Sequence, residues 1–177
     1  ICALNYANVD GYEAVAVPYG TGAFSMYLIL PPALASFSAS APSLSQWERI
    51  TGEMTLCEVD LRMPAFTDDF SVSLNQPLKD LGITDAFSSL ADFSPMTPKN
   101  VYISKALQKS HLEVDETGTT ADAATAVVFG YTSTSGEAPE PVELQKCSFS
   151  ADRPFYYLIC EKSTGAILFI GQKTSAF

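Results

Sequence analysis

The last third of the chain carries a long run of small residues that cannot build a conventional core. Its sequence, DETGTTADAATAVVFGYTSTSGEAPEP, spans Asp115 to Pro141 and has no apolar stripe at helical spacing. Almost nothing large enough to fill a core occurs before Val127. Composition alone is typical of a flexible linker. Small side chains, however, can also enter a closely packed site without overpacking it.

The same run alternates in a way that suits a β-strand. If residues 119–128 were extended, one face would be small and uncharged, and the single charged residue, Asp122, would lie on the other face. The residues of the uncharged face are Thr119, Ala121, Ala123, Thr125 and Val127. Gly118 precedes them and supplies a hinge. The segment can therefore be a loop in one state and a strand in another.

Composition predicts a globular protein and excludes several partners. Of 177 residues, 47% are hydrophobic and 17% are charged, which is enough for one sizeable core or most of one. The net charge of -10 repels nucleic acid and anionic lipid surfaces, and no basic stripe offsets it. The longest apolar stretch, Ala23 to Leu34, is interrupted by two prolines and is too short to cross a bilayer. We expect neither a nucleic-acid partner nor a membrane span.

Most of the remaining chain is patterned as strands. Turn sequences at Asp10-Gly11 and at Tyr19 to Gly22 separate the first three runs and predict an antiparallel meander. A long strand with an irregular middle is predicted over 101–116, and the C-terminus predicts a central hairpin that turns at Lys162 to Gly165. The other predicted strands are Ala3 to Val9, Tyr12 to Val17, Phe24 to Leu30, Leu56 to Met63 and Phe66 to Leu74.

Two short helices are predicted between these strands. Ser45 with Glu48 three residues later has the spacing of a capping box and would carry Trp47 toward the core. Asn75 with Pro77 opens a second helix, which ends at Gly82.

Residues suited to catalysis or metal binding are sparse. His111 is the only histidine and lies in a strand-like run with no nucleophile motif, so a structural role is expected. Asp68 and Asp69 are neighbours on a strand and would point to opposite faces, which favours solvated charges over an acid/base pair. The four cysteines are far apart and lack a C-x-x-C motif, so we expect free thiols. No catalytic residue, metal site or cofactor is predicted.

Four motifs, in order, resemble the serpin family of serine protease inhibitors. The segment LGITDAFSSLADFS, from Leu81 to Ser94, is similar to the family's segment after its ninth helix. ISKALQKSHLEVDETGTTADAATA, from Ile103 to Ala126, resembles the fifth strand of sheet A followed by the reactive-loop hinge. FSADRPFYYLI, from Phe149 to Ile159, and GAILFIGQ, from Gly165 to Gln172, resemble the segments that follow the loop.

The resemblance implies a suicide mechanism of inhibition. A protease cleaves the exposed loop and forms an acyl-enzyme, and the freed hinge then inserts into sheet A as a new strand. Asp122 departs from the family's usual alanines and glycines, but the alternation puts it on the outward face, so inhibition is still expected. Gln108 stands where the family commonly has a histidine, so the hydrogen bonds that hold the sheet closed are expected to differ. The implied hinge residues are Glu116, Gly118, Thr119, Ala121, Ala123 and Thr125.

The implied reactive loop covers about 117–142. The family's usual spacing of about seventeen residues, counted from Glu116, predicts cleavage between Thr132 and Ser133. Counting back from Pro154 gives a position near Glu143 instead, so the loop is longer than standard.

Alternative specificity residues are Val128, Phe129 and Tyr131. Small or aliphatic residues suit elastase-like or subtilisin-like proteases, and the aromatic ones suit a chymotrypsin-like protease. No Arg or Lys occurs between Lys109 and Lys146, which disfavours trypsin-like targets.

All matched motifs belong to the second half of a serpin, and the first residues already alternate like a strand interior. We therefore expect residues 1–177 to be the C-terminal half of one serpin domain. The resemblance implies an α+β, β-rich fold, with strands of sheets A, B and C and few short helices. The expected partners are a target serine protease and the missing N-terminal half, in the same or a separate chain, and an extracellular setting follows from the family. The alternatives are a non-inhibitory serpin-fold carrier and a β-rich module whose loop is a spacer.

Overall fold

The computed structural model describes residues 1–32, 41–115 and 143–174. These residues form two compact units. The first contains residues 1–64 together with the described residues that follow the small-residue run, and the second lies within Ala65–Gly118. The elements of the described chain are β1 (Cys2–Val9), β2 (Tyr12–Tyr19), β3 (Phe24–Leu30), α1 (Leu44–Gly52), β4 (Thr55–Arg62), β5 (Phe66–Ser73), α2 (Asn75–Asp80), β6 (Leu107–Val114), β7 (Gln145–Ser150), β8 (Phe155–Glu161) and β9 (Ile167–Lys173).

The first unit is a mixed sheet of seven strands in the order β7-β4-β1-β2-β3-β8-β9. β4 and β7 run parallel, and every other neighbouring pair is antiparallel. The predicted meander is confirmed as β1, β2 and β3. Its first turn depends on Asp10 and Gly11, whose φ angles of 53° and 82° match the twist of a tight hairpin.

The core of this unit lies against the central strands. Most residues of β2 and β3 are buried, and Phe149 of β7 and Phe155 of β8 are fully buried. α1 packs on the sheet through Ile50, which is also fully buried. Trp47 is half-buried and meets the Tyr27 ring edge-on, with 5.0 Å between the ring centroids. The strand-like hydrophobicity of these segments thus reflects real burial.

α1 begins two residues earlier than the sequence pattern predicted. Ser43, and not Ser45, is the N-cap: its hydroxyl accepts from the Gln46 N–H at 3.3 Å, and the Gln46 side chain accepts from the Ser43 N–H at 2.8 Å. These two reciprocal hydrogen bonds satisfy the backbone N–H groups of Ser43 and Gln46 at the start of α1. The prediction that Ser45 and Glu48 form the capping box was wrong. Both serines have a Gln or Glu three residues later, so the sequence spacing alone does not distinguish them.

The C-terminal hairpin is formed as predicted, but it is not central. β8 lies inside the sheet, whereas β9 is its edge strand among the described residues. Its residues Ile167, Leu168, Phe169 and Ile170 are 39% to 71% exposed. The turn is held by Glu161, whose carboxylate accepts from the backbone and hydroxyl groups of Ser163 and Thr164; these hydrogen bonds lower the pKa of Glu161 to about 2. The apolar residues of β9 therefore gain little cover from the described part of the chain.

The described strands form two sheets, whereas the resemblance implied three. β1 pairs with β2 on one side and, over Cys2 to Tyr6, with β4 on the other, so these strands belong to one continuous sheet. All four cysteines are free thiols. Burial and the neighbouring Cys57 raise the pKa of Cys147 to about 11, which keeps that thiol protonated at neutral pH.

The second unit contains β5, α2 and β6, with one turn of 3₁₀ helix at Asp85–Phe87. α2 starts at Asn75 and is followed by Gly82 at φ 93°, as the sequence predicted. The long strand predicted over 101–116 is shorter than expected: among described residues 101–115, regular strand covers Leu107–Val114, and residues 101–106 are irregular. None of the helices in the described ranges is long and apolar enough to cross a membrane.

Candidate functional site

The strand that leads into the small-residue run pairs with β5 along its whole length. Phe66 lies opposite Val114 and Ser73 opposite Leu107, in antiparallel register. Phe66 and Val114 are buried, so the pair is anchored at the end that continues into residue 116. Because side chains alternate along each strand, one face of the pair carries most of the apolar residues, such as Leu112 and Val72, and the other is mainly polar.

β6 has a partner on only one of its edges within the described residues, where it forms a two-stranded sheet with β5. The Leu74 N–H donates to the Ala106 carbonyl at 2.9 Å, so the backbone groups of residue 106 point toward β5. By the alternation of an antiparallel ladder, the groups of Leu107, Lys109, His111 and Glu113 point to the opposite edge. That edge presents a row of N–H and C=O groups to which an extended segment could add.

A histidine and an aspartate face each other across the two strands. The His111 Nδ1 atom lies 2.7 Å from the Asp69 Oδ1 atom, with side chains 60% and 78% exposed. The hydrogen bond to Asp69 raises the pKa of His111, and the charges of Asp69 and Glu113 act in the same direction. Asp68 lies opposite Leu112 and Asp69 opposite His111, which confirms that the two acids occupy different faces. Asp69 is nevertheless paired, and not merely solvated as predicted.

The contact between His111 and Asp69 leads to a testable prediction about the pKa of His111. A raised pKa means that the charged pair contributes fully below the ordinary histidine pKa of about 6.5 and is lost as pH rises through the folded value. An NMR titration of the His111 ring should give a midpoint above that of a free histidine in the wild type. In Asp69→Asn the midpoint should fall toward the ordinary value.

Asp68→Asn is the matched control for this titration, because it removes a neighbouring charge from the opposite face. It should leave the His111 midpoint nearly unchanged. An equal shift in both variants would mean that general charge, and not the 2.7 Å contact, controls the titration.

Every reactive-loop residue singled out from the sequence lies outside the described residues. This holds for the predicted cleavage site, Thr132-Ser133, and for the whole implied loop. It also holds for the alternative specificity residues Val128, Phe129 and Tyr131, and for the hinge residues Glu116, Gly118, Thr119, Ala121, Ala123 and Thr125. Their roles remain predictions.

The chain after the small-residue run is held by backbone and side-chain contacts. β7 pairs in parallel with β4, and the Ala151 N–H donates to the Arg62 carbonyl at 2.8 Å. Arg153, in the motif FSADRPFYYLI, donates to the Pro31 carbonyl and lies 3.7 Å from the Glu13 carboxylate. In the sequence, the small-residue run therefore lies between two strands, β6 before it and β7 after it.

Sequence reasoning missed the role of Asn75 in this region. Its side-chain Oδ1 accepts from the Ala106 N–H at 2.7 Å, and its Nδ2 donates to the Ser104 carbonyl at 3.0 Å. The only signal was an asparagine at a strand-to-helix junction, which equally suits an ordinary cap.

Within the described ranges, no group of three or more His, Cys, Asp or Glu side chains could hold a metal ion.

Comparison with known proteins gives a consistent answer. The family model described as "Serpin (serine protease inhibitor)" matches residues 3–176. Plasminogen activator inhibitor 1 of Sus scrofa is 34% identical over 94% of this chain and 40% of that protein. Glia-derived nexin of Homo sapiens is 36% identical over 91% of this chain and 39% of that protein. The chain therefore spans about 40% of the length of these curated relatives.

Solved structures give the same fold. The crystal structure of native protease nexin-1 with heparin matches with a TM-score of 0.73 and 28% identity, over 99% of this chain and 44% of that one. A crystal structure of maspin matches with a TM-score of 0.73 and 26% identity, over 99% of this chain and 46% of that one. The strand-rich architecture with few helices matches the covered part of these structures, and the chain belongs to the serpin family of serine protease inhibitors.

Proposed function

We propose that this chain is the loop-bearing C-terminal half of a serpin domain, and that the whole protein inhibits serine proteases as a suicide substrate. The observation that carries the proposal is the position of β6. This strand runs directly into the small-residue segment, and its edge away from β5 offers extended backbone groups for strand addition. The alternation of residues 119–128, with one small uncharged face, supplies a segment suited to that edge.

The chemistry needs no catalytic group from this chain. The protease serine hydroxyl attacks the Thr132 carbonyl, the amine of Ser133 leaves with a proton, and an acyl-enzyme ester remains. The released hinge then adds beside β6. About ten new ladder hydrogen bonds at roughly 0.5–1.5 kcal/mol each give a driving force on the order of 10 kcal/mol, comparable to the stability of a whole domain.

That driving force is large enough to stop the second step. Deacylation requires an oxyanion hole aligned with the developing charge, and losing one donor costs about 3–4 kcal/mol. An inserting strand that pulls the acyl-enzyme out of alignment would therefore leave the ester unhydrolysed.

The proposed targets are elastase-like, subtilisin-like or chymotrypsin-like proteases. Thr132 or Val128 suits the first two classes, and Phe129 or Tyr131 suits the third. The absence of basic residues between Lys109 and Lys146 argues against trypsin-like targets. The extracellular setting implied by the family is part of this proposal, and detection of the protein in the secreted fraction would test it.

The proposal also requires an N-terminal half, in the same or a separate chain. Exposed apolar side chains support this requirement: Phe70 of β5 is 59% exposed and Ile170 of β9 is 71% exposed. Clusters of large apolar side chains on one element usually mark a surface that another segment covers. The length of the matched relatives leaves room for such a segment.

A denaturing gel tests the proposed function. The protein in its longest natural form is incubated with elastase-like, subtilisin-like and chymotrypsin-like proteases, and the released C-terminal peptide is analysed by mass. We expect a heavy band that survives denaturation, and a peptide that begins at Ser133. Cleavage without any heavy band, together with an unchanged melting temperature after cleavage, would instead indicate the non-inhibitory carrier. The absence of both cleavage and complex would indicate a binding module with a spacer loop.

A further inference from the structure

The β5–β6 ladder continues beyond the point where β5 ends. The register that pairs Ser73 with Leu107 would next pair Leu74 with Ala106, and the Leu74 N–H does donate to the Ala106 carbonyl at 2.9 Å. The reciprocal bond is missing because the chain turns into α2 at this position. The Leu74 carbonyl accepts instead from the Leu78 N–H, at 2.9 Å, as the first helical bond of α2.

The side chain of Asn75 supplies the groups that the backbone can no longer offer. Its Oδ1 accepts from the Ala106 N–H at 2.7 Å, in place of the Leu74 carbonyl. Its Nδ2 donates to the Ser104 carbonyl at 3.0 Å, which is the bond that the N–H of residue 76 would make if β5 continued. A side-chain amide has the same donor and acceptor pair as a peptide group, so asparagine can replace one ladder unit.

This replacement changes how much of β6 is available to a new strand. Backbone groups of Ser104 and Ala106 are fixed toward β5, so by alternation those of Lys105 point to the opposite edge, in line with Leu107, Lys109, His111 and Glu113. We call the two side-chain hydrogen bonds of Asn75 the Asn75 clamp. Without the clamp, one backbone hydrogen bond, from the Leu74 N–H to the Ala106 carbonyl, would hold residues 104–106 at this end of the ladder.

We infer that Asn75 is a positioning residue for strand addition: its amide fixes backbone groups of Ser104 and Ala106 toward β5, so that the outer edge available to a new strand begins at Lys105 instead of Leu107. The inference rests on the proposed function, because the added strand is the cleaved loop. Insertion starts at the hinge, beside residue 114, and proceeds toward residue 105. The clamp therefore acts on the last part of insertion, which determines how far an attached protease is carried.

Hydrogen exchange tests the clamp without any protease. In Asn75→Ala, the Ala106 amide should exchange about fivefold to tenfold faster, as expected for the loss of one ordinary hydrogen bond. Asn75→Asp keeps an acceptor for that amide but loses the donor to Ser104, so Ala106 should stay protected. Gln76→Ala is the matched control, because the Gln76 side chain donates to Asp80 within the same helix, at 2.7 Å. Unchanged Ala106 exchange in Asn75→Ala would overturn the inference.

Protease titration of the protein in its longest natural form tests the consequence. In Asn75→Ala we expect a severalfold rise in the amount of inhibitor consumed per protease inactivated, with more cleaved inhibitor and less covalent complex. Gln76→Ala should behave like the wild type, which separates positioning from a general loss of stability. If Ala106 loses protection while the yield of complex is unchanged, the inference is wrong. If the wild type forms no complex with any protease, the proposed function fails, and the strand-addition role fails with it, although the exchange result still reports on the clamp.

Discussion

Under the proposed mechanism, Ala123→Asp is expected to replace suicide inhibition with ordinary cleavage of the protein as a substrate. If residues 119–128 insert as a strand, Ala123 lies on the small uncharged face, and a carboxylate there would have to be buried without a partner. Burying an unpaired charge costs several kcal/mol, a large part of the roughly 10 kcal/mol available from the new ladder. Insertion should then be slower than deacylation. A gel with the responsive protease should show the heavy band reduced at least about tenfold and cleaved protein increased.

Ala124→Asp is the matched control for this substitution. It introduces the same charge one residue later, on the face that already carries Asp122. Its yield of complex should stay close to that of the wild type. Equal losses in the two variants would show that the segment does not insert in the predicted alternation, and normal complex formation by both would show that it does not become buried at all.

Elements with strong local signals could be predicted from the sequence. The meander of β1 to β3 was identified because its turns carry Asp10-Gly11 and a glycine-rich sequence, which restrict the backbone whatever surrounds them. α2 was identified for the same reason, from Asn75 at its start and Gly82 after its end. The sequence could not show that β9 lies at the edge of the sheet. Its run of apolar residues has the same pattern whether a neighbouring strand or a segment outside this chain covers it.

The candidate site was harder to predict because it depends on register. The His111–Asp69 contact exists only because residue 69 lies opposite residue 111 in the ladder, and residues 42 apart in sequence give no local sign of that pairing. The Asn75 clamp likewise needs α2 to begin where it removes the Leu74 carbonyl from the ladder. The length and position predicted for the reactive loop came from family resemblance, since the composition of this segment alone favours a linker.

Gly171→Ala is expected to destabilise the seven-stranded sheet strongly. Gly171 of β9 lies directly opposite Tyr157 of β8, and a Cβ atom at residue 171 would overlap the end of the Tyr157 ring. Tyr157 is only 7% exposed, so its ring has little room to move away. Overpacking of this kind costs about 1–3 kcal/mol or more. For a protein of this size each kcal/mol lowers the melting temperature by about 2–4 °C, which calorimetry or circular dichroism can measure.

Two further variants separate steric overlap from a general effect of replacing glycine. Gly52→Ala lies at the end of α1, where an added Cβ meets no atom within 4 Å, and it should be neutral or stabilise by up to about 1 kcal/mol. Tyr157→Leu removes the end of the ring, so Gly171→Ala should cost much less in that background than in the wild type. A double-mutant cycle measures this difference directly. If Gly171→Ala is equally costly in both backgrounds, the glycine is required for the backbone of β9 and not for the tyrosine ring above it.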